Sequence, residues 1–262
     1  MQDCNPEVTP IAANTVFTKD DCPKTEQEKV LLKEEATRYR SVVASLNYLS
    51  QWTRPDIAFA VSKLSKFMSN PGPKHLLLKR VLRYLKGTRT RCLVYDFSKK
   101  PPRSGVYGYY DASHADDKDT RRSTMGYKFF YYGCLISWKS KLHSYVTLST
   151  NNSEYCASAK AAREAKWLHK MYIAVNRSTD VCPIDLFSDS TGAIAMNHNP
   201  VQHEANKHCD LADHFAREQV ERGIITISYV PTEMMLADIL TKPLPPISFN
   251  KFVSQYMADK PL

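Results

Sequence analysis

The sequence Val106-Tyr107-Gly108-Tyr109-Tyr110-Asp111-Ala112-Ser113-His114-Ala115 decides how the rest of the chain is interpreted. Its β-branched and aromatic residues predict a strand, and a carboxylate stands near the end of that strand. A carboxylate in an apolar strand is costly to bury unless it is paired, hydrogen-bonded or bound to a metal ion. The first question about function is therefore which groups surround Asp111 in the folded chain.

The segments that follow predict an antiparallel group of strands. Residues from Met125 to Tyr132 and from Cys134 to Ser140 are apolar and aromatic, and Gly133 separates them, which predicts a hairpin. A long helix is predicted from Ser149 to about Ala174. We expect Trp167 on this helix to face the core, as we do Trp138.

Strands and helices alternate in the remainder of the chain. Strands are predicted from Val181 to Phe187 and from Ile224 to Val230, with a short helix near Ala193 and a helix from about Lys207 to Glu221 between them. Further helical pieces are expected at Met234 to Leu240 and at Ile247 to Met257. This order predicts an α/β fold with an antiparallel hairpin region and later strands joined by helical crossovers.

Four acids stand in similar apolar settings: Asp111, Glu154 early in the long helix, Asp189 after the fourth strand, and Asp238 at the last helical pieces. Because ligand sites form at the strand ends of open α/β sheets, we expect the four carboxylates to converge there. Their repulsion requires cations, and Mg²⁺ is the expected ion. Taken singly, each acid is better explained as an ordinary helix cap or a surface carboxylate.

Composition limits the class of protein. The chain has 262 residues, enough for one large domain or two small ones, and no run of about 18 apolar residues that would predict a membrane helix. Its start lacks the basic and apolar blocks of a signal peptide. Seven scattered cysteines fit a reducing compartment. We expect a protein of the cytoplasm or nucleus that is not secreted.

The net charge of +9 is concentrated in one segment. Residues 51–100 contain twelve Lys and Arg against two Asp, which gives this stretch +10 and the remainder −1. A local positive field suggests a nucleic-acid partner, although a solvated basic face that aids solubility explains it equally well.

Helical periodicity places part of this charge on one face. After an extended leader over residues 1–36, three helices are predicted, the third from His75 to Lys86. Its apolar stripe is Leu78, Val81, Leu82 and Leu85. The opposite side carries the predicted nucleic-acid-binding residues Lys79, Arg80, Arg83 and Lys86. The predicted domains are thus the leader 1–36, a helical subdomain 37–100, a sheet domain 101–245 and a C-terminal helix or tail 246–262.

Many of these residues resemble the C-terminal part of copia-type LTR-retrotransposon Pol polyproteins, over nearly the whole chain. In the sheet domain the similar segments are Val106–Ala115, Arg121–Tyr127, Ile136–Lys141, Leu148–Tyr155, Lys207–Asp210, Tyr229–Glu233 and Leu236–Pro245. In the helical part they are Tyr39–Ser41, Thr53–Ala58, Phe67–Met68 and Lys79–Thr88. The first set resembles the ribonuclease H domain of that family, and the second the segment after its polymerase core.

The resemblance implies a fold, a chemistry and partners. It implies a ribonuclease H-like mixed sheet flanked by helices, preceded by a small basic helical subdomain. Asp111, Glu154, Asp189 and Asp238 would be metal-binding, catalytic acids for two Mg²⁺ ions, with Mn²⁺ as an alternative. The reaction would be hydrolysis of the RNA strand of RNA–DNA hybrids during reverse transcription, inside a virus-like particle and beside the polymerase part of the polyprotein. The sequence contains no paired aspartates in the strand-turn-strand setting that is typical of the polymerase itself.

The chain departs from the family pattern beside the acids, and three other interpretations stay open. The departures are His114, Asp116, Asn151 to Ser153 and Ser190 to Gly192. A degenerate fragment that only binds nucleic acid or protein is one alternative, and a strand-transfer enzyme with three essential acids is another. A zinc site at His203, His208, Cys209 and His214 is the third, although it lacks regular ligand spacing. His208 and His214 are expected on a helix at the edge of the acid site.

Overall fold

The computed structural model describes residues 4–13, 15–31, 33–98, 103, 105–177, 182–198 and 214–260. The chain forms two compact units. The helical unit comprises Met1–Val94, Asp117–Arg121 and Lys242–Leu262, and the sheet unit comprises Tyr95–Asp116 and Arg122–Thr241. The domain boundaries predicted from sequence, at residues 36, 100 and 245, stay predictions.

A five-stranded mixed sheet forms the centre of the sheet unit. Its strands are β2 (Val106–Ser113), β3 (Thr124–Tyr131), β4 (Cys134–Leu142), β5 (Ile184–Ser188) and β6 (Ile225–Tyr229), in the order β4-β3-β2-β5-β6. The first three strands are antiparallel neighbours, whereas β5 runs parallel to β2 and β6 parallel to β5. The helices α5 (Thr150–Asn176), α6 (Thr191–His198) and α7 (Phe215–Glu221) accompany these strands. The predicted α/β fold with an antiparallel hairpin region is confirmed.

The hairpin between β3 and β4 is tight for a local reason. Tyr132 and Gly133 both have positive φ, at 49° and 81°. A two-residue turn with both central residues in this region twists in the sense of the strands it joins. Glycine adopts that conformation without a steric cost, so the position of Gly133 determines where the chain reverses.

Helix α5 packs on the sheet through its smallest side chains. Ala157, Ala161, Ala162 and Ala165 are all buried in the core with Tyr110 and Leu186 of the strands. Small side chains let the helix lie close to the sheet. The helix begins after Ser149, whose side chain accepts a hydrogen bond from the Asn152 N–H.

Two expectations for the sheet unit are wrong. Trp167 is 54% exposed, because it lies off the alanine face of α5. The segment from Met234 to Leu240 forms two short 3₁₀ turns, Thr232–Met234 and Asp238–Leu240, instead of one helix.

The helical unit contains α1 (Glu26–Leu31), α2 (Lys33–Trp52), α3 (Ala58–Ser65), α4 (Leu78–Gly87) and the C-terminal α8 (Pro246–Val253). Short 3₁₀ turns lie at Lys19–Asp21, Pro55–Ile57 and Pro73–Leu77. Tyr39, Ile57, Leu64 and Tyr84 are almost fully buried between these elements. The C-terminal strand β7 (Met257–Asp259) pairs antiparallel with β1 (Arg91–Leu93), so the predicted terminal helix ends earlier than expected.

The expectation of an extended leader over residues 1–36 is wrong for its second half. Residues 26–31 and those from Lys33 onwards are helical, and the charged run around Glu34 opens α2. Acidic residues in a first helical turn are favoured by the helix dipole. Among the helices that the structure describes, none is both long and apolar enough to cross a bilayer.

Candidate metal centre

Two of the four acids are brought together by neighbouring parallel strands. The last registered pair of β2 and β5 is Tyr109 with Phe187. Asp111 and Asp189 each follow two residues later, on the same side of the sheet, because side chains alternate with a period of two. Asp111 is 2% exposed, and Asp189 is half-buried beyond the end of β5.

Glu154 reaches the same place from the start of α5. It is buried, and its Oε1 accepts a hydrogen bond of 3.1 Å from the backbone N–H of Ala112, which follows Asp111 in β2. This bond ties the helix to the strand end. The Thr232 hydroxyl likewise donates to Asp189 Oδ2 at 2.7 Å.

The three carboxylates form one cluster. Asp111, Glu154 and Asp189 each offer an oxygen, and these oxygens lie within 4.8 Å of one another. Burial raises the pKa of Tyr110, and the charges of Glu154 and Asp189 raise it further. Among the described residues this is the one group of three or more His, Cys, Asp or Glu side chains with a geometry that could hold a metal ion. Three oxygen ligands of this kind fit a hard divalent cation.

Asp238 lies outside this group of three. It is buried at the start of the 3₁₀ turn Asp238–Leu240, and its backbone carbonyl is 3.2 Å from the hydroxyl of Thr241. The same hydroxyl donates to Asp111 Oδ2. The structure thus gathers three of the predicted acids directly and links the turn that carries the fourth to Asp111 through Thr241.

Two of the departures from the family pattern, those before Glu154 and after Asp189, contact each other. An added Cβ at Gly192 would lie 2.5 Å from the side-chain amide nitrogen of Asn151, so the exposed side chain of Asn151 would have to shift to admit it where α6 meets the first turn of α5. The Ser190 hydroxyl is 3.5 Å from the side-chain oxygen of Asn151. The changes before Glu154 and after Asp189 therefore form a contact beside the acids, which the sequence order did not indicate.

Comparison with known proteins identifies the family. The chain is 37% identical over 255 residues, 96% of its length, to "Retrovirus-related Pol polyprotein from transposon TNT 1-94" of Nicotiana tabacum. It is 39% identical over 222 residues, 84% of its length, to "Retrovirus-related Pol polyprotein from transposon RE1" of Arabidopsis thaliana. The chain belongs to the copia-type retrotransposon Pol polyproteins. It spans 18% and 15% of the lengths of these two relatives.

Other comparisons add less to this Pol assignment. No protein-family model matches the chain. A solved structure, ribonuclease H1 from Halobacterium salinarum, aligns with 53% of this chain and 95% of its own, at 15% identity and a TM-score of 0.38. This structural similarity is too low to support a fold assignment, which rests instead on the strand order and on the family. The strand order of the sheet unit agrees with the ribonuclease H-like mixed sheet that the family resemblance implies.

The histidine cluster of the Pol segment is only partly described. His203, His208 and Cys209, three members of the alternative zinc site, lie outside the described residues, as does the first half of the predicted helix from Lys207. His214 precedes α7, and its Nδ1 is 2.9 Å from the hydroxyl of buried Tyr155, the residue after Glu154. His214 thus contacts α5 one residue from the acid cluster.

The predicted basic face of the Pol segment is largely engaged within the helical unit. Glu7 accepts ion pairs of 3.0 Å from both Arg80 and Arg83. The Lys86 ammonium donates to the Cys4 carbonyl at 2.8 Å, whereas Lys79 is exposed. The first residues of the predicted leader therefore cover three of the four cations, which helical periodicity alone could not indicate.

Several residues at the site were missed by sequence reasoning. Thr241, Gly126 and Ser140 contact Asp111 or the turn that follows Asp238. The one available signal was Gly126, because a glycine inside a strand pattern often marks a close approach of another backbone.

Proposed function

We propose that this chain hydrolyses the RNA strand of RNA–DNA hybrids and requires divalent metal ions, Mg²⁺ first, for the reaction. The observation that carries the proposal is the cluster of Asp111, Glu154 and Asp189, whose carboxylate oxygens lie within 4.8 Å of one another. Three acids this close repel one another strongly when ionised, and a bound cation removes that cost. The Pol family membership supports ribonuclease H chemistry over other metal-dependent reactions.

The residues of the chain would hold the metal ions and fix the geometry. Asp111 and Glu154 are buried, whereas Asp189 is half-buried and supplies the side of the cluster nearest to solvent. Neutral donors orient the three acids: the Thr241 hydroxyl on Asp111, the Ala112 N–H on Glu154 and the Thr232 hydroxyl on Asp189. When bound, a pair of Mg²⁺ ions supplies an activated water and stabilises the leaving 3′ oxygen. No covalent intermediate with the protein is required.

Selectivity for RNA–DNA hybrids would come from contacts that differ between the two strands of the substrate. An enzyme of this kind must contact 2′-hydroxyls on one strand, which distinguish RNA from DNA, and phosphates on the other. The exposed Lys79 and the neighbouring cations of α4 are proposed to bind phosphates, and the polymerase part of the polyprotein is proposed as a protein partner.

The test is cleavage of a labelled RNA–DNA hybrid by the purified chain with and without Mg²⁺. We expect metal-dependent cleavage of the RNA strand alone, and no nucleotide incorporation on a primed template. Asp189→Asn should abolish cleavage and leave hybrid binding largely intact, because it removes a ligand charge and keeps the shape. Hybrid binding without cleavage by the wild-type chain would favour the non-catalytic alternative.

The variant Asp238→Asn measures how much the fourth acid contributes to cleavage. Because Asp238 lies outside the cluster of three, we expect it to weaken cleavage less than Asp189→Asn does. Full activity of Asp238→Asn would establish a site of three acids, as the strand-transfer alternative requires, and joining of DNA ends by the chain would then support that alternative.

A further inference from the structure

A row of three residues crosses the sheet beside the acid cluster. Asp111 of β2 is paired with Gly126 of β3, and Gly126 is paired with Ser140 of β4. The segment from Asp238 to Thr241 lies against this row. Each of the three residues makes or permits a specific contact with that segment.

The contacts at the two ends of the row are hydrogen bonds. The Thr241 hydroxyl donates to Asp111 Oδ2, and the Ser140 hydroxyl donates to the backbone carbonyl of Leu240 at 2.6 Å. Thr241 is fully buried, so its hydroxyl is shielded from water. A hydroxyl that donates to a carboxylate makes a stronger bond than a neutral pair would.

The contact in the middle of the row depends on a missing side chain. A Cβ at Gly126 would lie 2.6 Å from Cβ of Leu240 and 3.0 Å from Cγ2 of Thr241. Real Cβ atoms do not approach another atom as closely as 2.6 Å, and a tightly packed interior has little room to adjust. Glycine at this position therefore lets the segment reach Asp111.

We propose that Thr241 is a positioning residue of the metal centre, seated by Gly126 and Ser140. Its hydroxyl fixes the orientation of the Asp111 carboxylate and couples it to the turn that carries Asp238. The inference deepens the proposed function and rests on it. Groups that orient a metal ligand typically contribute about 10- to 100-fold to metal affinity or activity.

The experiment measures metal binding without substrate. Mn²⁺ binding to the full chain is titrated by electron paramagnetic resonance for the wild type, Thr241→Val and Thr241→Ser, and thermal unfolding is recorded beside it. Valine matches the shape of threonine without its hydroxyl, whereas serine keeps the hydroxyl. We expect Thr241→Val to bind Mn²⁺ at least about tenfold more weakly and Thr241→Ser to bind nearly as well as the wild type.

A pair of glycine variants separates positioning from crowding. Gly108→Ala is the control for Gly126→Ala, because a Cβ at Gly108 would also meet close neighbours, 2.7 Å away on the Phe129 ring, but not the turn of Asp238. Both variants should lower the melting temperature. Only Gly126→Ala should also weaken Mn²⁺ binding.

The outcomes distinguish this inference from the proposed function. If wild-type protein does not bind Mn²⁺, the proposed function fails. If it binds and Asp189→Asn does not, but Thr241→Val binds as the wild type does, Thr241 is only structural and the inference is overturned. Should Thr241→Val not fold, Ser140→Ala decides instead: weaker Mn²⁺ binding supports the inference, and unchanged binding overturns it.

Discussion

Buried carboxylates are treated differently in the two units. In the helical unit, Asp56 is buried and accepts hydrogen bonds from Arg54 Nε and Nη2 at 3.0 and 2.7 Å and from the Tyr84 hydroxyl at 2.5 Å. Burial and the charge of Asp56 raise the pKa of Tyr84, so that phenol stays protonated as a donor. In the sheet unit, Asp111, Glu154 and Asp189 face one another within 4.8 Å and accept bonds from neutral donors.

The difference shows how a structural acid can be told from a candidate catalytic one. Asp56 forms an ion pair with Arg54, two residues away in the same chain, so its negative charge is neutralised within the folded protein. A cluster of like charges instead concentrates negative potential at one strand edge, where an added cation gains most. Burial alone does not separate the two kinds of acid, because Asp56 and Asp111 are equally buried.

The largest expected effect is a difference in folding stability between a variant of Asp56 and a variant of Asp189. Asp56→Asn leaves the buried Arg54 guanidinium without its countercharge and should destabilise the protein by about 3–5 kcal/mol. Asp189→Asn relieves repulsion and should not lower stability when no metal is present. Chemical denaturation of both variants in a chelating buffer measures the contrast.

A matched loss of stability in both variants would break this comparison, since it would mean that Asp189, like Asp56, stabilises the fold through its contacts within the chain. Addition of Mg²⁺ should also separate the wild type from Asp189→Asn in stability. The wild type should then gain stability, because a ligand that binds only the folded state stabilises it, whereas Asp189→Asn should gain much less.

The second effect is a pH dependence confined to the helical unit. His75 is fully buried, its Nδ1 accepts a hydrogen bond from the Gly72 N–H, and its ring stacks on Phe67 at 3.9 Å. Burial lowers the pKa of His75 below its usual 6.5. The unfolded chain then takes up a proton before the folded chain does, so stability is fully present above about pH 6.5 and falls as the pH drops toward the lower folded pKa.

Denaturation between pH 7.5 and 5 measures this loss, which for one proton cannot exceed about 1.4 kcal/mol per pH unit. His75→Gln is the control, because it removes the titrating ring. The same slope in that variant would assign the pH dependence to another group.

The smallest expected effect concerns the basic face of α4. Glu7→Gln frees Arg80 and Arg83 from their shared, half-buried carboxylate at a cost of about 1 kcal/mol, as for ion pairs near the protein surface. If this face binds phosphates, the variant should bind an RNA–DNA hybrid more tightly at low salt. Lys79→Glu with Arg83→Glu should bind more weakly, and removal of each cation that binds a phosphate should flatten the salt slope by roughly 0.7 to 0.9.

Cleavage at saturating enzyme should stay near wild type in these variants, because the proposed catalytic acids belong to the sheet unit. An unchanged salt slope in the double variant would mean that the charge of α4 serves the contact with the N-terminal segment. The nucleic acid would then bind elsewhere.

The concentration of positive charge in residues 51–100 was a feature of the sequence, but the folded helical unit distributes it differently. Lys66 pairs with Asp117 and Asp119, and Lys74 pairs with Asp21. These acids are distant in sequence and adjacent in space. A segment count of charges therefore overstates the positive field around the folded unit.

The sequence by itself determined the five strands of the mixed sheet, the hairpin and the identity of the candidate acids. Alternating apolar residues, the glycine of the Tyr132-Gly133 turn and the Ser149 cap act through neighbours a few residues away, so their consequences can be predicted locally. The family resemblance rested on the same short segments.

Only the tertiary structure decided which of these residues meet. It gathered Asp111, Glu154 and Asp189, placed Asp238 outside that group, and brought Thr241 onto Asp111 across 130 residues of chain. It also covered the cations of α4 with Glu7. Contacts of this kind depend on how whole elements pack and on where a missing Cβ, as at Gly126, allows close approach, and no local pattern of residues encodes that.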